Sequence, residues 1–461
     1  MTGPDGARGR LAAPTRRRRI GFISTRFAGT DGVSLETAKW ASTLERIGHT
    51  CYYFAGECDR PPERSRVVPE AFYRHPEVDA INRGAYAGEW HANGNGNGSD
   101  AAPELQDLKG TSHSIHTRPP TLSKRIHELR EALKAELHAF VAQFELELLI
   151  IENASTIPLN LPLGLAIAEL VAETGIPVIA HHHDFHWERQ RFLLNSVPDI
   201  LAAAFPPTHP SIRHVVINSV QASQLASRHG VTARVIPNVM EFEEPPGPPA
   251  VDPATVRADL GVAQDELFLL QPTRVIQRKG IEHAIEFTRR LERPARLVIS
   301  HASGDEGPGY ETRVREFADL LGVDVRFEWE VIADHPGRTP DGRRIYTLAD
   351  VYPVADFVTY PSAFEGFGNA FLEAVYYRRP ILVNNYSTYE VDIRPRGFRV
   401  VWFDGFISDA TLALARRLLD DPTLAAAWAA RNYELGARHF SFTILRRHLE
   451  DLLADCFGEA V

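Results

Sequence analysis

Short runs of continuous apolar residues alternate along this chain with longer stretches whose apolar positions recur every three or four residues. IGFISTRF, CYYFAGE, LELLIIEN, IPVIAHHHDF and IRHVVIN read as buried strands. Between them, VSLETAKWASTLERIGH reads as an amphipathic helix stopped by Gly48. Leu122 to Phe144 carries apolar residues at 122, 126, 129, 133, 137, 140, 141 and 144. LPLGLAIAELVAETG ends at Gly175, and a further helix follows Ser219 as its cap. The second half repeats the alternation, with strands FLLQPT, ARLVIS, VRFEWEVI, VADFVTYPS and PILVNNY and helices between them. Continuous rather than alternating apolar strands, each followed by a helix, predict parallel sheets covered on both faces. The fold class is α/β, two doubly wound Rossmann-like domains.

The break between the halves is the Pro- and acid-rich MEFEEPPGPPAVDP, which predicts a linker over 241–256. The first domain then spans 16–240 and the second 257–435, with a closing helix within 436–461. Residues 1–15 read as a disordered tail. PPERSRVVPE, the low-complexity HANGNGNGSD and Pro119-Pro120 interrupt the pattern and predict a flexible insertion over about 59–120. Arg16 to Arg19 read as a solvated charge run.

The chain has 461 residues, 44% hydrophobic and 24% charged, a mix that supports large cores rather than disorder. A net charge of −10 argues against general nucleic-acid binding. No apolar run reaches membrane-spanning length, so no stable membrane insertion is expected. The N-terminus lacks the apolar core of a secretory signal. Cys51, Cys58 and Cys456 have no CxxC spacing, which suits a reducing, cytoplasmic setting.

The chemistry concentrates in Tyr360–Ala374, YPSAFEGFGNAFLEA. A buried strand ends at Pro361 and a helix starts at Asn369. The two glycines between them permit a tight turn, and free amides at the helix start make an anion site. Glu365 and Glu373 would lie about 12 Å apart if the span were wholly helical. That is too far to flank one glycosidic bond. It suits the two ends of an elongated ligand with phosphate between them. RVIQRKG, before the first helix of the second domain, puts cations where the helix dipole opposes them, so an anion is needed there. Arg278 reads as a solvated neighbour in that loop. His181 to Asp184 end a strand of the first domain. Strand alternation puts 181 and 183 on one face and 182 on the other.

Glu-x7-Glu in the form EGFGxxxxE resembles the signature of retaining glycosyltransferases of the GT-B class, family 4. The resemblance implies two Rossmann-like domains facing across a cleft. It implies transfer of a hexose from a nucleotide-sugar, such as a UDP- or GDP-hexose, to the hydroxyl of a small-molecule, lipid or glycan acceptor. Neither cofactor nor metal is implied. By position, Glu365 would contact the hexose, Glu373 the ribose, and Gly366, Phe367, Gly368 and Asn369 the sugar hydroxyls and diphosphate. Arg274-x4-Lys279 matches the family's diphosphate-binding pair. Gly32, before the first long helix, would bring its amide to the donor phosphate. Family members carry a sugar-facing histidine as His-Asp or His-x-Asp, which His183 and His182 respectively match. The family's base-reading segment falls on Glu328 to Ile332. Competing readings are a non-catalytic sugar or nucleotide-sugar binding protein, and a zinc-dependent hydrolase using His181 to Asp184. A dehydrogenase would need GxGxxG in its first βαβ unit, and Gly366-x-Gly368-x-x-Phe371 lacks the third glycine.

Overall fold

The computed structural model describes residues 16–29, 31–86, 117–303 and 309–458. The expected tail over 1–15 and about half of the expected insertion, 87–116, lie outside the described residues. The chain forms two compact units. Among the described residues, the first comprises 16–86, 117–215 and 446–458, and the second 216–445. The boundary therefore falls between Val215 and Val216, not at the Pro-rich 241–256 stretch.

In the first unit the strands are β1 (Arg19–Ile23), β2 (Thr50–Ala55), β3 (Ser65–Val67), β4 (Leu148–Glu152), β5 (Val178–His182) and β6 (Ile212–Val216). They are six of the seven strands of their sheet and lie in the order β3-β2-β1-β4-β5-β6, with β1 parallel to both β2 and β4, and β4 parallel to β5. The β4 side chains are all buried, as expected where helices cover both faces. Helix α1 (Gly32–Arg46) follows β1. Helix α2 (Pro120–Phe144) buries Leu122, Ile126, Leu129, Leu133, Leu137, Phe140 and Phe144 in one stripe, which is why so long a helix is stable here. Helix α3 (Leu161–Thr174) ends at Gly175, whose φ is +62°.

Two expectations need correction here. Residues 59–86 are not a flexible insertion: they form the edge strand β3 and a helix, Pro76–Ala85, burying Val78, Ile81 and Ala85. The prolines that suggested loops stand in the first turns of short helices, at Pro62, Pro69 and Pro76, where no amide is needed. The 16–19 run is not simply solvated. The Arg18 side chain is 7% exposed; it donates to Glu147 at 2.9 Å and lies 3.5 Å over the Phe457 ring.

The second unit repeats the topology. Its strands β7 (Leu267–Gln271), β8 (Ala295–Ile299), β9 (Val325–Phe327), β10 (Phe357–Tyr360), β11 (Ile381–Asn384) and β12 (Val401–Phe403) take the order β9-β8-β7-β10-β11-β12. All pairings within this six-stranded sheet are parallel. Each sheet thus has the 3-2-1-4-5-6 order, in which ligands bind beyond the strand ends where the winding reverses, between the first and fourth strands. The closing helix expected after Phe440-Ser441 is present, and a further helix precedes it. That helix runs Pro422–His439; after the buried Phe440 and Ser441 the closing one runs Phe442–Phe457.

Candidate active site

In the second unit, β10 leads through the motif turn into helix α6 (Asn369–Tyr376), where the helix was expected. Three successive carbonyls of the turn are tied inward. Thr388 Oγ1 donates to Glu365 O and to Gly366 O at 3.1 Å each, Asn218 Nδ2 donates to Gly366 O at 2.7 Å, and Tyr386 OH donates to Phe367 O at 2.9 Å. In a trans peptide the N–H points opposite to the C=O. The amides of Gly366, Phe367 and Gly368 are therefore turned away from these partners, the arrangement of an anion nest. Gly368 has φ +122°, and a Cβ there would stand 2.7 Å from the Tyr386 hydroxyl. Only glycine fits this turn. Asn369 Oδ1 accepts from Asn238 Nδ2 at 2.7 Å.

Glu365 is 7% exposed. Lys279 Nζ pairs with its Oε1, and Arg278 Nη1 donates to Oε2 at 3.0 Å. Arg278 is thus a partner of Glu365 and not a solvated neighbour. Burial alone would raise the Glu365 carboxyl, but Lys279 and Arg278 hold it at about 2. Lys279 itself is pushed down by burial; Glu365 opposes this, while Arg278 and Arg274 add to it. Arg274 is exposed. The loop is locked to the turn because Ala363 N donates to Arg278 O at 2.8 Å, and because Gly280, at φ +60°, lets the chain pass 2.5 Å from where Pro361 O would meet a Cβ. Three cations against one carboxylate leave this corner net positive, as a diphosphate requires.

Glu373 lies half-buried within α6 and accepts from the buried Tyr352 hydroxyl at 2.7 Å. His301, just past β8, was not singled out in the sequence. Burial lowers its pKa, Asp334 opposes, and Arg274 and Lys279 lower it further, so a neutral imidazole stands beside the cation pair. Of the expected base-reading segment, Glu328 accepts from Arg343 at 2.7 Å while Val331 and Ile332 are buried. A cavity of about 460 Å³ lies elsewhere, past the far end of α6, between Pro246–Val251 and Tyr376–Tyr377. It is lined by none of the expected site residues.

In the first unit the histidines divide as alternation requires. His182 is fully buried, its ring nitrogens engaged by Thr156 and, at 2.9 Å, by His214. His181 and His183 turn to the other face and meet one carboxylate, Glu152 of β4. His181 Nδ1 lies 2.9 Å and His183 Nε2 3.1 Å from its Oε2. His183 is 9% exposed and Glu152 fully buried. Glu152 and its neighbour Asn153 were read only as a strand end. Asn153, at φ +60°, accepts from His183 N at 3.1 Å and donates to Asp184 at 2.9 Å, which fixes the bend after β5. A signal was present: an acid ending a wholly apolar parallel strand must find a partner. Glu152, His181 and His183 could also hold a metal ion by proximity alone.

Gly32 is the first residue of α1, one position later than expected. The Asp31 carboxylate accepts from Val33 N and Ser34 N at 3.1 and 3.2 Å and pairs with Arg26 at 2.9 Å. These two amides thus already carry an anion; the Gly32 amide, the one expected at the phosphate, is not one of them. Likewise Asn218, not Ser219, caps its helix, accepting from Gln221 N at 2.8 Å.

Paired sheets of this order, with a glycine turn and a Lys–Arg loop at one switch point, are those of a GT-B glycosyltransferase that uses a nucleotide-sugar donor. Residues 253–435 match the family model of glycosyl transferases group 1. It is 28% identical over 467 residues to the mannosylglucosylglycerate synthase of Thermotoga maritima, covering 95% of this chain and 99% of that protein. To the mannosylglucosylglycerate synthase of Petrotoga mobilis it is 29% identical over 408 residues, covering 83% and 86%. Among solved structures, a glycosyltransferase from Rickettsia africae matches with a TM-score of 0.61 at 13% identity, over 96% of this chain and 100% of that one. Among the described residues, no helix is long and apolar enough to cross a membrane.

Proposed function

We propose that this chain is a metal-independent, retaining hexosyltransferase that moves a hexose from a nucleotide-sugar to a hydroxyl of a small anionic sugar acceptor. The observation that carries this reading is the Lys279–Glu365–Arg278 cluster beside the outward amides of Gly366 to Gly368. As the bond from sugar C1 to the phosphate oxygen breaks, negative charge grows on the leaving diphosphate. Lys279, Arg274 and the turn amides stand ready for it, already oriented, and replace the metal that other transferases use. Glu365, held ionised, accepts from hexose hydroxyls; Glu373, fixed by Tyr352, accepts from the ribose. The acceptor oxygen bonds to C1 on the face the phosphate leaves, and its proton passes to the departing phosphate oxygen. His183, the more accessible of the two candidate histidines, is the one assigned to the hexose.

The acceptor class rests on the two relatives, whose shared name describes a product with a glucosylglycerate core. Calorimetric titration with UDP, GDP, ADP and their hexose conjugates tests the donor, and incubation with glucosylglycerate tests the acceptor. One nucleotide binding clearly above the rest, transfer unaffected by EDTA, and an α-linked product from an α-linked donor are expected. Absence of any nucleotide binding by the folded protein would refute the transferase reading. Activity lost to EDTA and restored by a divalent ion would refute metal independence.

A further inference from the structure

The mechanism so far uses His183 but not the carboxylate behind it. Glu152 ends β4 at the switch point, fully buried, and a single oxygen, Oε2, meets both His181 Nδ1 and His183 Nε2. An ionised carboxylate only accepts, so both imidazoles must present N–H to it. That sets the tautomer of each ring, and it directs the opposite nitrogen of His183, Nδ1, away from Glu152. The other face of the cluster is closed by α1: Trp40 stacks on His181 with ring centroids 4.1 Å apart, and the buried Glu36 pairs with Lys39 at 2.5 Å. Glu152 Oε1 and His181 Nε2 are buried without hydrogen-bond partners. Leaving a carboxylate oxygen unpaired in a protein core is costly. A purely structural site at this position would be filled at less cost by an apolar residue, as its neighbours along β4 are.

We propose that Glu152 is a positioning residue for hexosyl transfer: through its shared hydrogen bonds it fixes the ring, tautomer and charge of His183 toward the transferred sugar. This rests on the assignment of His183 to the hexose. The chemistry is electrostatic. Charge develops positively at the sugar during transfer, and the carboxylate hydrogen-bonded to the far side of the ring offsets any positive charge the imidazole carries toward it. The same carboxylate stabilises the imidazolium whenever His183 takes up a proton. Consistently, the His183 pKa is raised: burial works against this, and Glu152, Glu36 and Asp184 overcome it. Burial lowers His181, with Glu152 and Glu36 opposing and His183 adding to the fall. The charged groups facing His183 are thus Glu152 from β4, Glu36 with its Lys39 from α1, His181 from β5, and Asp184, which is paired with Arg189.

The test compares Glu152→Gln, which keeps an oxygen acceptor and the volume, with Glu152→Ala and His183→Ala in the full chain. Ring ¹⁵N NMR of the histidines, with His183→Ala supplying the assignment, reads tautomer and titration without any substrate. Glu152→Gln is expected to lower the His183 pKa by more than one pH unit. Its nucleoside-diphosphate affinity should stay within about two-fold of wild type, and its rate of hexose release from the donor should fall ten-fold or more at unchanged KM. A His183 pKa and tautomer unchanged in a folded Glu152→Gln protein would overturn the proposal. So would a stoichiometric metal in the purified protein that Glu152→Gln loses, since the three side chains would then be ligands. If His183→Ala keeps full turnover, the assignment of His183 fails instead. If His183→Ala loses turnover and Glu152→Gln does not, only the role of Glu152 fails.

Discussion

Removing both members of the Lys279–Glu365 pair should destabilise the second unit by clearly less than the sum of removing each alone. The side chains are 11% and 8% exposed, so solvent screens little of their interaction. A carboxyl that titrates at about 2 rather than 4.5 is held in its ionised form by roughly 3 kcal/mol, net of the burial that opposes it. Lys279 and Arg278 share in that figure. Glu365→Gln strands a buried ammonium, at a cost of about 3–5 kcal/mol. Lys279→Met leaves Glu365 to Arg278 alone and should cost about 2–3 kcal/mol. In the double variant neither charge is orphaned, and the summed single costs should exceed the observed one by about 2–3 kcal/mol. Urea unfolding of the four proteins, followed by circular dichroism, measures the cycle. The same proteins titrated with the preferred nucleoside diphosphate should show Lys279→Met binding at least ten-fold more weakly. Costs that add to within about 0.5 kcal/mol would show that the two groups are independent, and the anchored-cluster argument would fall with them.

Acid sensitivity should follow from the same carboxylates. Glu365 and Glu152 both titrate near 2 in the folded chain, against 4.5 unperturbed. Groups whose pKa falls on folding bring stability that is complete above the unfolded value and lost as pH drops toward the folded one. Melting temperature is therefore expected to fall between about pH 4.5 and 2, and the combined Glu152→Gln and Glu365→Gln protein to show a flatter fall than wild type; equal slopes would contradict this. Gly280→Ala places a side chain at φ +60° and 2.5 Å from Pro361 O. It should cost about 2 kcal/mol or more and weaken diphosphate binding by displacing Lys279; a neutral result in denaturant and in calorimetry would show that the loop is not locked as described.

The donor-side chemistry was legible because it is local. Glu365, the two glycines and Glu373 sit within one strand–turn–helix, and their spacing alone sets which face each presents. Arg278 was misread for the opposite reason: its partner lies 87 residues away, and loop position says nothing about such a contact. The 59–86 segment was misread because prolines mark both loops and helix first turns, and only the buried stripe at Val78, Ile81 and Ala85 separates the two. Asn218 and Asn238 looked like ordinary strand-end residues. Their reach to Gly366 and Asn369 depends on tertiary placement that no period in the sequence encodes. For the histidines, alternation correctly separated 182 from 181 and 183. It could not say which face held the carboxylate.

The shared strand order explains why the two chemical clusters look alike. In each sheet the fourth strand in sequence pairs with the first, and the helices leave on opposite faces at that point, so the strand ends open there. Glu152 closes that strand in the first unit, and Glu365 follows it by five residues in the second. Both acids are buried, and both are held at about 2 by partners from neighbouring elements: imidazoles on the next strand in one case, cations on the loop after the first strand in the other. A buried carboxylate left alone would take up a proton and lose its charge. Paired in this way it stays ionised at neutral pH and holds its partners in place. In the second unit the partner is a lysine, which the proposed function sets against a leaving diphosphate; in the first unit it is a histidine, which the same proposal sets against the sugar. The positions follow from topology, and the chemistry from which cation the neighbouring element supplies.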